Sequence, residues 1–145
     1  MLQPDVLLVE DDPVDAKFFT RAANKIDADL RIEWVKDGQA AVDYIERMAE
    51  SRKPLPKLVV LDIKLPKLRG FDVLARIRNN TYTKRVPAVM MSGSTQLEDI
   101  ELAYDLGANG YLSKPSTFGQ LNEIVGKLVG YWITANTSVS TPNNP

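Results

Sequence analysis

Cysteine and histidine are both absent from this 145-residue chain. Without cysteine there is no disulfide framework, no thiolate zinc site and no thiol nucleophile. Without histidine there is no Ser-His-Asp triad, no imidazole metal ligand and no imidazole that could itself carry phosphate. A basic excess is missing too: 18 Lys and Arg stand against 19 Asp and Glu, a net charge of −1, so affinity for DNA through counterion release is not expected. No apolar run approaches the ~18 residues of a membrane span. The residues before the first apolar run, Val6-Leu7-Leu8-Val9, include no base, so a signal peptide is not expected and the cytoplasm is the default location. Chemistry is left to carboxylates, hydroxyls, Lys and Arg.

With roughly 100–200 residues per domain, one domain is expected, and an average balance of apolar and charged residues argues against global disorder. Short apolar runs alternate with segments of helical period. The expected strands are Val6–Val9, Ile32–Val35, Leu58–Leu61, Ala88–Met91 and Gly110–Leu112, each followed by a helix-start signal. Asp12 precedes Pro13 at a first helical position, and Asp37-Gly38 opens a second helix. A third begins near Gly70-Phe71. Thr95–Glu98 reads as a capping box for a fourth that stops at Gly107, and Thr117–Gln120 reads as another for a fifth. Along the fifth runs an apolar stripe of Leu121, Ile124, Val125, Leu128, Val129 and Trp132. This strict alternation predicts an α/β fold: a flavodoxin-like doubly wound (βα)5 three-layer sandwich around a five-stranded parallel sheet. Residues 51–57 form a solvated connector. From about Thr134 the chain turns to Thr, Ser, Asn and Pro, so a domain over 1–133 and a disordered tail over 134–145 are expected.

In such a fold, ligands bind beyond the carboxyl ends of the strands. There the chain offers Glu10-Asp11-Asp12 after the first strand, Asp62 after the third, Ser92-Gly93 at the fourth and Lys114-Pro115 after the fifth. Clustered carboxylates repel one another and are stabilised by a cation, and oxygen ligands alone favour Mg²⁺ or Mn²⁺ over zinc. A metal, a lysine and one isolated aspartate suit phosphoryl transfer. Asp62 is the expected nucleophile, Glu10 and Asp11 the metal holders, and Lys114 and Ser92 the groups that meet phosphoryl oxygens. Each piece alone has an ordinary explanation: an acidic cluster caps a helix, a Lys-Pro makes a turn. Their joint placement at four strand ends favours the functional reading.

Val9-Glu10-Asp11-Asp12-Pro13, Leu61–Pro66, Met91-Ser92-Gly93 and Gly110–Pro115 together resemble the receiver domains of two-component response regulators, over roughly Asp5 to Ile133. The resemblance implies that Asp62 accepts phosphate from a histidine of a partner sensor kinase. It implies that Glu10, Asp11, Asp62 and the Lys64 carbonyl hold Mg²⁺, with Glu10 acting through water. It also implies that Ser92 and Tyr111 form a switch pair, that Lys114-Pro115 is a cis bond, and that the fourth helix, fifth strand and fifth helix form the signalling face. Leu65-Pro66-Lys67, Glu98-Asp99-Ile100, Tyr104–Gly107 and Tyr131-Trp132-Ile133 bring the chain closer to stand-alone receivers paired with bacterial and cyanobacterial phytochromes. Arg69 stands where that family is expected to place Asp, and Ser92 replaces the commoner Thr. The implied function is a phosphoacceptor switch rather than an enzyme, with a homodimer supported by the apolar Tyr131-Trp132-Ile133.

Three other readings fare worse. A haloacid-type phosphatase wants a second acid two residues after its nucleophile, where this chain has Lys64. A flavin carrier would need a phosphate loop where Glu10-Asp11-Asp12 repel phosphate. A receiver relic has no reason to retain Asp11, Asp62, Ser92 and Lys114 together.

Overall fold

Alternate residues of the first strand enter different cores, which fixes the layered architecture. In β1 (Val6–Val9), Leu7 and Val9 pack with Val59 and Leu61 of β3 (Leu58–Leu61) on one face. Val6, Leu8, Leu58 and Val60 pack on the other. All eight are buried, as a period of two demands of a parallel sheet covered on both faces. The structure, a computed structural model, describes residues 3–139. Its remaining strands are β2 (Ile32–Val35), β4 (Ala88–Ser92) and β5 (Gly110–Ser113), all parallel in the order β2-β1-β3-β4-β5. The two outer strands, β2 and β5, are only partly buried.

The helices are α1 (Pro13–Ile26), α2 (Gly38–Ser51), α3 (Gly70–Arg78), α4 (Leu97–Asp105) and α5 (Phe118–Leu128). α1 and α5 cover one face; α2, α3 and Ala103 of α4 cover the other. The expected doubly wound sandwich is therefore the fold. The chain reverses its winding between β1 and β3, which opens a cleft beyond their carboxyl ends.

Three expected caps form. Asp12 accepts from the Val14 N–H at 2.8 Å, Asp37 from Ala40 at 2.7 Å and Thr117 from Gln120 at 3.2 Å. The Asp37 carboxyl is held below its usual value chiefly by the Ala40 N–H, with help from Lys67 at 3.5 Å. Asp37→Ala is therefore expected to cost about 1 kcal/mol of stability at neutral pH. A depressed carboxyl stabilises the fold above its unfolded pKa, so the deficit should shrink as pH falls past about 3.8. Urea unfolding of both proteins across that range tests it.

Three expectations need correction. The 51–57 connector is not solvated throughout: Ser51 ends α2, and Leu55 and Pro56 are buried, Leu55 packing into the α2/α3 core. The Thr95–Glu98 capping box does not form: α4 starts one residue later, at Leu97, behind Gln96. Ser94 Oγ intervenes, accepting from the Gln96 N–H at 3.3 Å and donating to Asp99 at 2.6 Å, so Asp99 rather than Glu98 closes the first turn. At the other end α5 does not stop with its stripe but widens into a π-helical extension, Val129–Ala135. The helical path thus enters the first two residues of the expected tail; residues 140–145 lie outside the described residues. The extra residue per turn lets neighbouring Trp132 and Ile133 both pack against the α1/α5 core, while Tyr131 remains 55% exposed.

Candidate functional site

Register brings the acidic residues together. Val9 pairs with Leu61, so the residues that follow them, Glu10 and Asp62, leave the sheet side by side, and Asp62 N donates to the Val9 carbonyl at 3.2 Å. Ligand oxygens of Glu10, Asp11 and Asp62 all lie within 4.8 Å of one another. Glu10 and Asp62 are buried polar residues in the floor, and Asp11 is exposed at the rim. Asp12 points elsewhere, because its carboxylate caps α1.

Lys114 reaches this floor from the end of β5, where its N–H is held by the Ser92 carbonyl at 2.8 Å. Its ammonium donates to Asp62 at 2.8 Å, to Glu10 at 2.8 Å and to Asp15 at 3.3 Å. Burial alone would push the Lys114 ammonium down, but hydrogen bonds and charge from Asp62 and Glu10 outweigh it and raise its pKa. Glu10 is pushed up, because burial outweighs the pull of Lys114. Three carboxylates thus contact one ammonium, and Asp11 adds a fourth negative charge at the rim. Hard oxygen donors with that excess of negative charge fit a divalent cation held by Glu10, Asp11 and Asp62.

The remaining candidates occupy a second ring. Lys64 is exposed, and its main-chain N–H donates to Asp62 Oδ1 at 3.2 Å. Ser92 is buried, and among the described residues its hydroxyl is hydrogen-bonded to the Ser94 N–H at 3.2 Å rather than to Asp62. The Tyr111 hydroxyl donates to the Ser94 carbonyl at 2.8 Å. Ser94 therefore joins Ser92, Tyr111 and, through its own hydroxyl, Asp99 of α4. Neither Asp15 nor Ser94 stood out in the sequence. Asp15 lies in the first turn of α1, where an acid is explained by the dipole, and Ser94 lies in a polar loop.

Gly93 has open space where a Cβ would be, so no close approach requires glycine there. The Lys114-Pro115 bond is not cis; the described residues hold no cis peptide. Lys114 makes its contacts across a trans bond, which is the favoured isomer before proline. Arg69, in place of the expected Asp, precedes α3 with its N–H on Asp72 at 3.1 Å and its guanidinium 5.2 Å from the Phe71 ring centroid.

The cavity beside Asp62 and Lys114 is small, about 90 Å³. A larger one of about 680 Å³ lies at the amino ends of β3 and β4, beside Lys57 and Pro87, and contains none of the carboxylate cluster. Among the described residues no helix is long and apolar enough to cross a membrane.

The fold and sequence have clear counterparts among known proteins. The model of the response regulator receiver domain matches residues 6–126. "Probable methanogenesis regulatory protein FilR2" of Methanothrix harundinacea is 37% identical over 92% of this chain and 86% of its own length. Response regulator Rcp1 of Synechocystis is 32% identical over 91% of this chain and 90% of its own. The Mn²⁺-bound structure of Rcp1 superposes with a TM-score of 0.84 at 30% identity, covering 94% of this chain and 100% of that one. The phosphorylated cyanobacterial phytochrome response regulator RcpA superposes with a TM-score of 0.87 at 32% identity, covering 96% and 100%.

Proposed function

The chain belongs to the response regulator receiver family, and from that premise we propose that it is a stand-alone switch phosphorylated on Asp62 by a partner histidine kinase in a Mg²⁺-dependent reaction. The observation that carries this reading is the single ammonium of Lys114 lying 2.8 Å from Asp62 inside an acidic cluster fit for a divalent cation. An Asp62 carboxylate oxygen attacks phosphorus in line. An O–P bond forms, the N–P bond of the kinase phosphohistidine breaks, and the imidazole nitrogen leaves with the electron pair. These 145 residues include no histidine, in keeping with a donor imidazole supplied by the kinase. Mg²⁺ held by Glu10, Asp11, Asp62 and the Lys64 carbonyl would offset charge on the phosphoryl oxygens. Lys114, already on Asp62, follows the negative charge onto the phosphoryl group. The reading makes the protein an acceptor rather than an enzyme with turnover.

A phosphoryl group adds about −1.5 to −2 charges and three strong acceptors. The Ser92 hydroxyl is the donor placed on the next strand. Turning it toward Asp62 breaks its bond to the Ser94 N–H, and Ser94 holds both Tyr111 and Asp99. The disturbance is thereby delivered to the face of α4, β5 and α5. That face presents Leu97, Leu102 and Tyr104 to solvent, 68%, 41% and 50% exposed, and Tyr131 lies beyond α5. Such apolar exposure suits a partner or a second copy of the chain. The resemblance to Rcp1 and RcpA favours a phytochrome-type kinase as donor; the net charge of −1 speaks for a protein partner rather than nucleic acid.

Incubation with a small phosphodonor and Mg²⁺, read by intact mass, is expected to add one phosphoryl group to the wild type and none to Asp62→Asn. Labelling that persists in the variant would remove Asp62 from its role.

A further inference from the structure

The turn that carries Glu10 and Asp11 is fastened to β2 from both sides of one residue. The Glu10 N–H donates to the Val35 carbonyl at 3.1 Å, continuing the ladder one step past β1. The Glu10 carbonyl accepts from the indole Nε1 of Trp34 at 2.8 Å. That carbonyl belongs to the peptide linking Glu10 to Asp11, so the orientation of the peptide plane sets the direction in which both carboxylates leave the chain. A backbone carbonyl at a strand end could be satisfied by water, which imposes no fixed direction. A side-chain donor from the neighbouring strand does impose one.

The indole is itself held. Its ring packs against the α1/α5 core and lines an open groove with Pro13, Ala16, Lys17, Thr20 and Arg21 of α1. The Lys36 ammonium lies 5.3 Å from its ring centroid. A tryptophan on an edge strand needs no such partner for packing alone, and buried indole N–H groups seek an acceptor. Here the acceptor is the main chain of the residue that opens the acidic cluster.

We propose that Trp34 is a positioning residue for the metal-holding turn: its N–H fixes the Glu10-Asp11 peptide so that both carboxylates converge with Asp62 on one divalent cation. This rests on the reading of the acidic cluster given above and names the residue outside it that preorganises it. A donor that orients a ligand-bearing group raises affinity by reducing what must be ordered on binding.

The test is a Mn²⁺ titration of the full chain followed by electron paramagnetic resonance, with Trp34→Phe and with Trp34 replaced by 3-benzothienylalanine. The second analogue keeps the bicyclic shape and lacks the N–H. Both are expected to raise the Mn²⁺ dissociation constant by about fivefold, the worth of one neutral hydrogen bond. Phosphodonor labelling should then need more Mg²⁺ for half-maximal rate while its rate at saturating Mg²⁺ stays near wild type. A purely structural role would lower the melting temperature and leave the dissociation constant unchanged. A benzothienylalanine protein that binds Mn²⁺ as tightly as the wild type overturns the proposal, even if the phenylalanine variant does not fold. A wild type that binds no Mn²⁺ overturns the cluster reading, and this inference with it; a wild type that binds while both variants match it overturns this inference alone.

Discussion

Lys114→Met is expected to destabilise the protein by about 2–4 kcal/mol at neutral pH without divalent metal, because removing one partner of a buried ion pair leaves the other charge uncompensated. Methionine keeps an apolar stem of similar reach, so what is lost is the charge. The lower part of the usual range applies because the Lys114 side chain keeps 26% of its surface in water, whereas those of Glu10 and Asp62 keep 7% and 10%. The pH dependence has a definite sign. Glu10 already sits above its usual value of 4.5, and the Lys114 hydrogen bond and charge are what hold it down. Without them its folded pKa rises further above the unfolded one. A carboxyl raised in this way favours the folded state below its unfolded pKa and ceases to do so as pH rises through its folded pKa. The deficit of the variant should therefore be small below about pH 4.5 and open as pH increases. Millimolar Mg²⁺ should close part of it, since a cation that binds only the folded cluster stabilises that state by mass action. Denaturant midpoints against pH, with and without Mg²⁺, measure both trends. A deficit indifferent to pH and to Mg²⁺ would mean that the stem of Lys114, not its charge, matters.

The same charge balance explains how much of the site was legible in the sequence. A parallel sheet buried on both faces writes its strands as unbroken apolar runs, so the ends of Val6–Val9 and Leu58–Leu61 could be read to the residue, and with them Glu10 and Asp62. Once the strand order is known, Lys114 and Ser92 follow. What stayed hidden depends on side chains that cross between elements. Asp15 reaches Lys114 across 99 positions of sequence, and Trp34 reaches Glu10 across 24. An acid in a first helical turn and an aromatic in a strand each already have a sufficient local reason, so neither signals a distant partner. The false capping box at Thr95 fails similarly: two hydroxyl residues, Ser94 and Thr95, compete for the start of α4, and the choice is made by Ser94 facing Asp99 and Tyr111. The π-helical end of α5 has no local signal, because its stripe fits an α-helix equally well until Trp132 and Ile133 must share one face.

Gly70→Ala should cost nearly as much stability as Lys114→Met, although glycine at the first position of a helix reads as a mere boundary. A Cβ on Gly70 would lie 2.1 Å from the Asp62 carbonyl oxygen and 3.0 Å from Ile63 Cα, all main-chain atoms of the acceptor loop. No flexible side chain is available to yield. The Gly70 N–H simultaneously donates to the Ile63 carbonyl at 3.0 Å, so α3 is tied to the backbone it would have to leave. At the far end of the loop, Gly38 of α2 stands in the same relation to Leu68, its absent Cβ 1.9 Å from that carbonyl oxygen. Two glycines on two helices thus permit close approach to the main chain near both ends of the 62–70 segment, whose first residue, Asp62, meets Lys114. Alanine favours helix over glycine by up to ~1 kcal/mol, so any net loss is steric; overpacking of this kind costs about 2–3 kcal/mol. Phosphodonor labelling should fall by roughly 100-fold, the usual effect of moving a reacting group by an ångström. Gly119→Ala supplies the comparison, since that position in the first turn of α5 has nothing within 4 Å of a Cβ and should be neutral or slightly stabilised. If urea unfolding and labelling rates of the Gly70 and Gly119 variants coincide, the acceptor loop is not set by these contacts. If only Gly70→Ala loses both stability and labelling, the reactivity of Asp62 depends on how closely a helix start can approach its own main chain.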